Sequence, residues 1–194
     1  MGYKTTQDSN GSITVTDSLD SPYGSAPIGT VSVKHVAFGP FVQTTLTLAS
    51  VAQTVTNGTE YQSTKIYDFP AGRISVLGVT ATLQQKTTSA IATTINSGVT
   101  GAIALGTAAA SNVSLTGTMV DLLPSTAFTS STTINVAGTA VSAALAAAAQ
   151  FDGTSTAKDV YLNTAYATTT DVDGNGTQTI SGTVVITWIN LGDY

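Results

Sequence analysis

Cysteine is absent from the 194 residues, histidine and glutamate occur once each (His35, Glu60), and charged residues make up only 9% of the chain. Each scarcity closes off a class of chemistry. Without thiols there is no disulfide, no thiolate zinc site and no cysteine nucleophile, while the compartment stays open. A chain of this length buries about 70% of its unfolded surface, so it needs no such staple. The formal net charge is -5, and the six cations (Lys4, Lys34, Lys65, Arg73, Lys86, Lys158) are scattered. That is the wrong sign and pattern for tracking phosphates, so no nucleic-acid partner is expected. Long apolar runs are missing too: the longest, from Ala140 to Ala149, is about half of a bilayer span. No secretory signal is visible at the start, and no membrane partner is expected. Gly2 and Thr6 match the myristoylation spacing, and Asn10, Asn57, Asn112 and Asn175 head glycosylation sequons. In a chain this rich in Thr and Ser both patterns arise by chance.

What remains is abundant Thr, Ser, Ala and Gly, a surface of hydroxyls and methyls. Residues 1–29 hold turn formers and prolines around one alternating piece, "SITVT", and are expected to form an extended arm. Its apolar residues Ile13, Val15, Tyr23 and Ile28 cannot make a core alone, so the arm drapes over its own domain or docks on a partner. From residue 30 to 194 strand formers dominate. Eight segments are expected as strands: 30–38, 43–50, 64–69, 73–84, 113–123, 132–141, 159–167 and 177–191. Residues 88–111 are weakly patterned, strand and loop. Only the alanine-rich stretch favours a helix, at about 141–149. Eight strands with few helices predict an all-β fold, a jelly-roll-like antiparallel β-sandwich with an N-terminal arm; an immunoglobulin-like sandwich is the alternative.

Alternation is clearest near the end, where Ile180, Gly182, Val184, Ile186 and Trp188 share one face. Gly182 in that row predicts a close neighbour or a bulge. In residues 73–84, Ile74 and Val76 fall on one face and Leu77, Val79, Ala81 and Leu83 on the other. Gly78 sits at the change of phase, so a bend or bulge is expected there.

Candidates for catalysis are few. A Ser/His/Asp triad would have to use His35, and no G-x-S-x-G elbow occurs. His35 is expected to be a strand histidine facing solvent or accepting a local hydrogen bond. Asp68, Asp121, Asp152 and Asp159 could in principle pair for glycoside cleavage, but aspartates beside turns more often bond their own backbone. No phosphate-binding loop is present. The stretch "DVDGNG" begins like a calcium loop, with Asp171, Asp173 and Asn175 at alternate positions and Gly176 in the sixth; position twelve, however, is Gly182 rather than a glutamate. A hairpin turn is the simpler expectation, because Asp-Gly and Asn-Gly supply positive φ. No metal and no cofactor are expected.

The segment from Phe151 to Tyr194, with "DGTSTAKDVYLN", "DVDGNG" and "SGTVVITWINLGDY", resembles the end of small structural proteins of tailed bacteriophages. That resemblance implies a non-enzymatic head decoration or cement protein, which in several phages is a β-sandwich trimer clamped over capsomer junctions. The implied partners are the phage major capsid protein and further copies of the chain, with a trimer favoured. The implied location is the capsid exterior of the virion. In this picture Ile13, Val15, Tyr23 and Ile28 of the arm touch the capsid or a neighbouring subunit. The alternative is a tail-fibre module that binds a receptor or glycan through Tyr61, Tyr67, Tyr161 or Tyr166; a hydrolytic depolymerase ranks third.

Overall fold

The computed structural model describes residues 4–7, 13–16, 23–87, 100–129, 135–137, 150–167, 172 and 174–192. In chain order the strands are β1 (Lys4–Gln7), β2 (Ile13–Thr16), β3 (Val31–Phe38), β4 (Phe41–Val55), β5 (Tyr61–Asp68), β6 (Arg73–Thr87), β7 (Thr100–Gly106), β8 (Leu123–Thr129), β9 (Asn135–Ala137), β10 (Gln150–Asp152), β11 (Asp159–Tyr166) and β12 (Gly176–Asn190). They form two antiparallel sheets. The larger runs β1-β2-β3-β4-β12-β6-β10, with β9 also on β6, and the smaller runs β5-β11-β7-β8.

The pairing is nested. β4 pairs β12, β5 pairs β11, β6 pairs β9 and β10, and β7 pairs β8. Folding such a long four-pair hairpin back on itself puts alternate pairs in opposite sheets, which is a jelly roll. The immunoglobulin-like alternative is thereby set aside, since its hairpins follow one another instead of enclosing one another.

Side-chain period decides which face is core. On β12, Gln178, Ile180, Val184, Ile186 and Trp188 are buried and the residues between them are half-exposed. The phase slip on β6 is absorbed as expected: the register with β12 shifts between Thr187 and Trp188, leaving Leu77 as the extra residue beside Gly78. Ile74 and Val76 therefore face the same core as Val79, Ala81 and Leu83. A second slip, on β4, takes the buried set from Leu48 to Val51. Its bulge lies opposite Ile180 and Gly182, with Ser50 at φ 59°. Gly182 is at φ 138°, and a Cβ there would fall 2.1 Å from the Thr82 carbonyl oxygen, so only glycine fits.

Between the sheets lies one large apolar core, with Trp188, Tyr67, Tyr166 and Phe69 its largest fully buried side chains. Phe69 meets Tyr67, Phe151 and Trp188 edge-on at ring separations of 5.1, 5.2 and 5.5 Å. A second, smaller cluster coats the outside of the small sheet, where Leu115 and Met119 of the loop after β7 pack on Ala104 and Ala165.

That loop corrects one expectation. Residues 113–123 were expected to be a strand; instead they form irregular chain with a short 3-10 turn at Gly117–Met119, and β8 begins only at Leu123. Their apolar residues bury themselves from a loop lying across a sheet, which needs no alternation. Of the two courses expected for the N-terminal arm, its described strands take the one over this chain's own domain: β1 and β2 pair as a hairpin and join β3 in register Ile13↔Ala37 to Thr16↔Lys34, so residues 4–7 and 13–16 extend the large sheet. The expected helix at 141–149 lies outside the described residues.

Candidate functional site

His35 was expected on a strand, facing solvent or accepting a local hydrogen bond; it lies on β3, faces the core and takes the second course. It is 2% exposed on β3, its Nδ1 lies 3.0 Å from Thr44 Oγ1, and its ring sits between Tyr23 and Tyr67 at 5.7 and 6.0 Å. Thr44 Oγ1 also accepts the Trp188 indole N–H at 2.9 Å, which leaves its own proton for a neutral His35 Nδ1. Burial lowers the pKa of His35 to about 4, against an opposing hydrogen bond with the Gly24 backbone. A ring held neutral, with no carboxylate at hydrogen-bond distance among the described residues, is a structural histidine there and lacks the partner a triad requires.

Tyr23 and Ile28, expected to touch a partner, are half-buried against this chain's own core. The Tyr67 hydroxyl donates to the Tyr23 carbonyl, and Ser25 exchanges backbone hydrogen bonds with Asp68 at 3.1 and 2.8 Å. Residues 23–25 are thus fastened over His35, and the Tyr23 and Ile28 side chains are committed internally. Ile13 and Val15 lie on β2, opposite Ala37 and His35.

Glu60 is buried, and its carbonyl accepts the Tyr166 amide at 2.7 Å. It borders an unexpected polar network between the sheets. Gln178 Nε2 donates to Gln53 Oε1 at 3.0 Å and to Thr164 Oγ1 at 2.8 Å, its Oε1 accepts the Tyr166 hydroxyl, and Thr164 donates to Gln53 at 2.7 Å. Burial pushes the Tyr166 phenol upward, so it stays a donor. Glu60 Oε1 and Gln85 Oε1 are buried without a donor among the described residues. The sequence signal was present: Gln53 lies between Val51 and Val55, and Gln178 two before Ile180, both at inward positions of a period of two.

The aspartates divide by task. Asp152 accepts the Thr154 amide at 3.0 Å and hydroxyl at 2.6 Å, which lowers its pKa. Asp121 accepts the Thr107 amide and hydroxyl at 2.8 and 2.6 Å, and burial raises it. Asp68 and Asp159 are cross-strand neighbours that share Lys65, whose Nζ is 2.8 and 3.6 Å from them. Burial raises Asp68 in spite of its bond to Lys65. With an ammonium between the two carboxylates, the pair offers no room for a sugar and a water.

Of the "DVDGNG" stretch, Asp171 and Asp173 lie outside the described residues. Val172 is buried, and its carbonyl accepts the Gly58 amide at 3.3 Å, while Asn175 Oδ1 accepts the Asn57 amide at 2.8 Å. Asn175 is thereby occupied in tying this connection to the β4–β5 turn. The expected hairpin is corrected as well: β11 and β12 belong to different sheets, so the stretch carries the chain across the sandwich. Among the described residues no group of three or more His, Cys, Asp or Glu could hold a metal ion. Of the tyrosines suggested for glycan binding, Tyr67 and Tyr166 are core residues, and only Tyr61 and Tyr161 are half-exposed.

The four central strands of the large sheet present a regular outer face. Register aligns four rows across β3, β4, β12 and β6: Ser32-Thr47-Thr183-Thr82, Lys34-Thr45-Val185-Thr80, Val36-Gln43-Thr187-Gly78 and Phe38-Phe41-Ile189-Ser75. Three rows are hydroxyl, methyl and amide groups with one lysine. The fourth sets Phe38, Phe41 and Ile189 beside a buried Ser75, with Phe38 and Phe41 exposed on either side of a Gly39-Pro40 turn. Such a lattice offers shape and many weak contacts, and no acid, base or nucleophile activated by a neighbour.

Comparison with models of known families, with curated proteins and with solved structures finds no match to this chain.

Proposed function

We propose that this chain is a non-enzymatic virion structural protein that decorates a phage capsid from outside and stabilises it by binding at capsomer junctions. The observation that carries the proposal is the outer face of the large sheet, four strands wide and built from Thr, Ser and apolar side chains in register. An adhesive protein needs a broad, uncharged, rigid surface more than it needs a cleft. Repeated around a symmetric shell, modest contacts of this kind gain on the order of 10²–10⁴ in avidity without any strong single site. Two weaker lines agree. Jelly rolls are common in viral shell proteins, although they also serve lectins, so the fold is an analogy only. The resemblance of residues 151–194 to phage structural proteins points the same way.

Because Tyr23 and Ile28 are spent on the chain's own core, the capsid contact is assigned to the lattice in preference to the arm. Immunogold labelling of purified particles with antibody against this chain tests the proposal. Label distributed over heads is expected; label confined to tails, or none on particles, overturns it.

A further inference from the structure

The polar network between the sheets has more acceptors than donors aimed at them. Gln178 Nε2 bonds Gln53 Oε1 and Thr164 Oγ1 at 3.0 and 2.8 Å, Thr164 donates its proton to Gln53 Oε1 at 2.7 Å, and Tyr166 donates its own to Gln178 Oε1. Gln53 Nε2 and Gln62 Nε2 bond elsewhere, to the Leu162 and Thr59 carbonyls at 2.8 and 3.0 Å. The atoms left over are all oxygens. Glu60 Oε1 and Gln85 Oε1 are buried with no donor among the described residues. Gln62 Oε1 has only long approaches, 3.4 Å from Gln178 Nε2 and 3.5 Å from Thr164 Oγ1, and both of those atoms have closer partners.

The three oxygens come from both sheets. Gln85 stands on β6 opposite the inward Ile180, and its Nε2 lies 3.4 Å from Gln178 Oε1, so turning its amide over would set oxygen against oxygen. Glu60 directly precedes β5 and Gln62 is its second residue. Both are buried with a half-exposed Tyr61 between them, so they point inward together. Glu60 is 5% exposed and Gln85 0%, a depth at which an acceptor without a partner bears its whole desolvation cost.

The chemistry of these oxygens selects their occupant. Carboxylate and amide oxygens are hard ligands, suited to alkali and alkaline-earth ions and not to zinc or copper. None of the described ion pairs includes Glu60, so its carboxylate is the one charge in the network to be balanced. A single positive charge cancels it, whereas a divalent ion would leave a net charge away from water.

We propose that Glu60, Gln62 and Gln85 hold one alkali-metal cation, sodium or potassium, between the two sheets at the start of β5. The ion ties β5 of the small sheet to β6 of the large one where neither hydrogen bonds nor apolar contacts join these side chains. This inference concerns the isolated chain and does not depend on the virion proposal.

Thermal unfolding of the purified full chain at fixed pH and ionic strength tests it, with sodium or potassium chloride replacing tetramethylammonium chloride so that screening stays constant. The midpoint is expected to rise with the alkali ion, by about 3–5 °C per tenfold increase once the site is mostly filled. Sodium-23 NMR of the folded chain should show line broadening that potassium or excess sodium reverses. Glu60→Gln keeps the shape, removes the charge and supplies a donor. It should therefore abolish both signals while melting in tetramethylammonium chloride no lower than the parent. Should that variant fail to fold, the titration and the sodium resonance of the parent still decide. Equal midpoints in alkali and tetramethylammonium salts overturn the proposal, as does stabilisation by calcium or magnesium alone. A sodium effect of the same size in Glu60→Gln is a general salt effect and overturns it too.

Discussion

The hydroxyl of Thr44 joins Trp188 to His35: the indole N–H reaches it at 2.9 Å, and His35 Nδ1 lies 3.0 Å away. All three residues are buried, so no solvent replaces a lost partner. Thr44→Val keeps the shape and removes the oxygen, leaving two buried ring nitrogens unpaired at roughly 2–4 kcal/mol in total. Urea unfolding of the variant measures this, and a loss under about 0.5 kcal/mol would mean that the three-way contact is not formed.

Acid should weaken the fold through His35. Its folded pKa of about 4 lies below the ordinary 6.5, so the folded state binds the proton less readily than the unfolded chain. Stability from the neutral ring is fully present above pH 6.5, declines as pH falls, and is lost below about 4. The amplitude is about 3 kcal/mol, from roughly 1.4 kcal/mol per pKa unit. Denaturation midpoints taken from pH 7 to pH 4 should slope downward for the parent, with His35→Asn showing a flatter course. Parallel slopes in the two proteins would remove His35 as the cause.

Two glycines on the large sheet should respond in opposite ways. Gly182→Ala drives a Cβ to 2.1 Å from Thr82 O at φ 138°, and is expected to cost about 3 kcal/mol or more. Gly78 has nothing within 4 Å of its would-be Cβ, so Gly78→Ala should be neutral or stabilising by up to about 1 kcal/mol. Thermal melts of the pair decide it; equal effects would contradict the bulge geometry.

Asn163 holds the loop that covers the small sheet. Its Nδ2 donates to the Ala108 and Met119 carbonyls, both at 2.9 Å, while its Oδ1 accepts the Ser63 hydroxyl at 2.6 Å and the Ala110 amide at 2.9 Å. Asn163→Ala should cost roughly 2–4 kcal/mol and speed hydrogen exchange at Ala110 before the rest of the sheet. Unchanged exchange at that amide would show the loop to be held by Leu115 and Met119 alone.

The strands of the large sheet were legible where one face is wet and the other dry, because the contrast is written as a period of two. β12 is the clearest case, and the slip beside Gly78 was visible as a break in phase. The equivalent slip on β4 hid behind Ser50, since no glycine marks it and a serine in left-handed backbone cannot be anticipated from its type. β7 could be read only as some strand within residues 88–111, without bounds or a face, because Ile103, Ala104 and Leu105 are all buried, between the core on one side and the covering loop on the other, which erases alternation. The candidate surface was legible only as composition. Thr, Val and Phe residues far apart in sequence become rows only once β3, β4, β12 and β6 are in register. For His35 the sequence offered solvent or a local hydrogen bond and could not choose the second, and the glutamines were missed, for a common reason: a polar residue at an inward position looks like an error in the pattern until its buried partner is known.

The enclosing order of the strand pairs also governs how the chain reaches its native state. Thr44 and Trp188 are 144 residues apart in sequence, yet they lie on adjoining strands. Neither β4 nor β6 has its main partner until β12 has been synthesised and has slid between them. On a ribosome the earlier strands therefore wait with open edges, and closure is paid in loop entropy before any contact rewards it. Refolding should be slow for a domain of this size, and the threonine-rich, weakly charged edges exposed in that interval are where misassembly would begin.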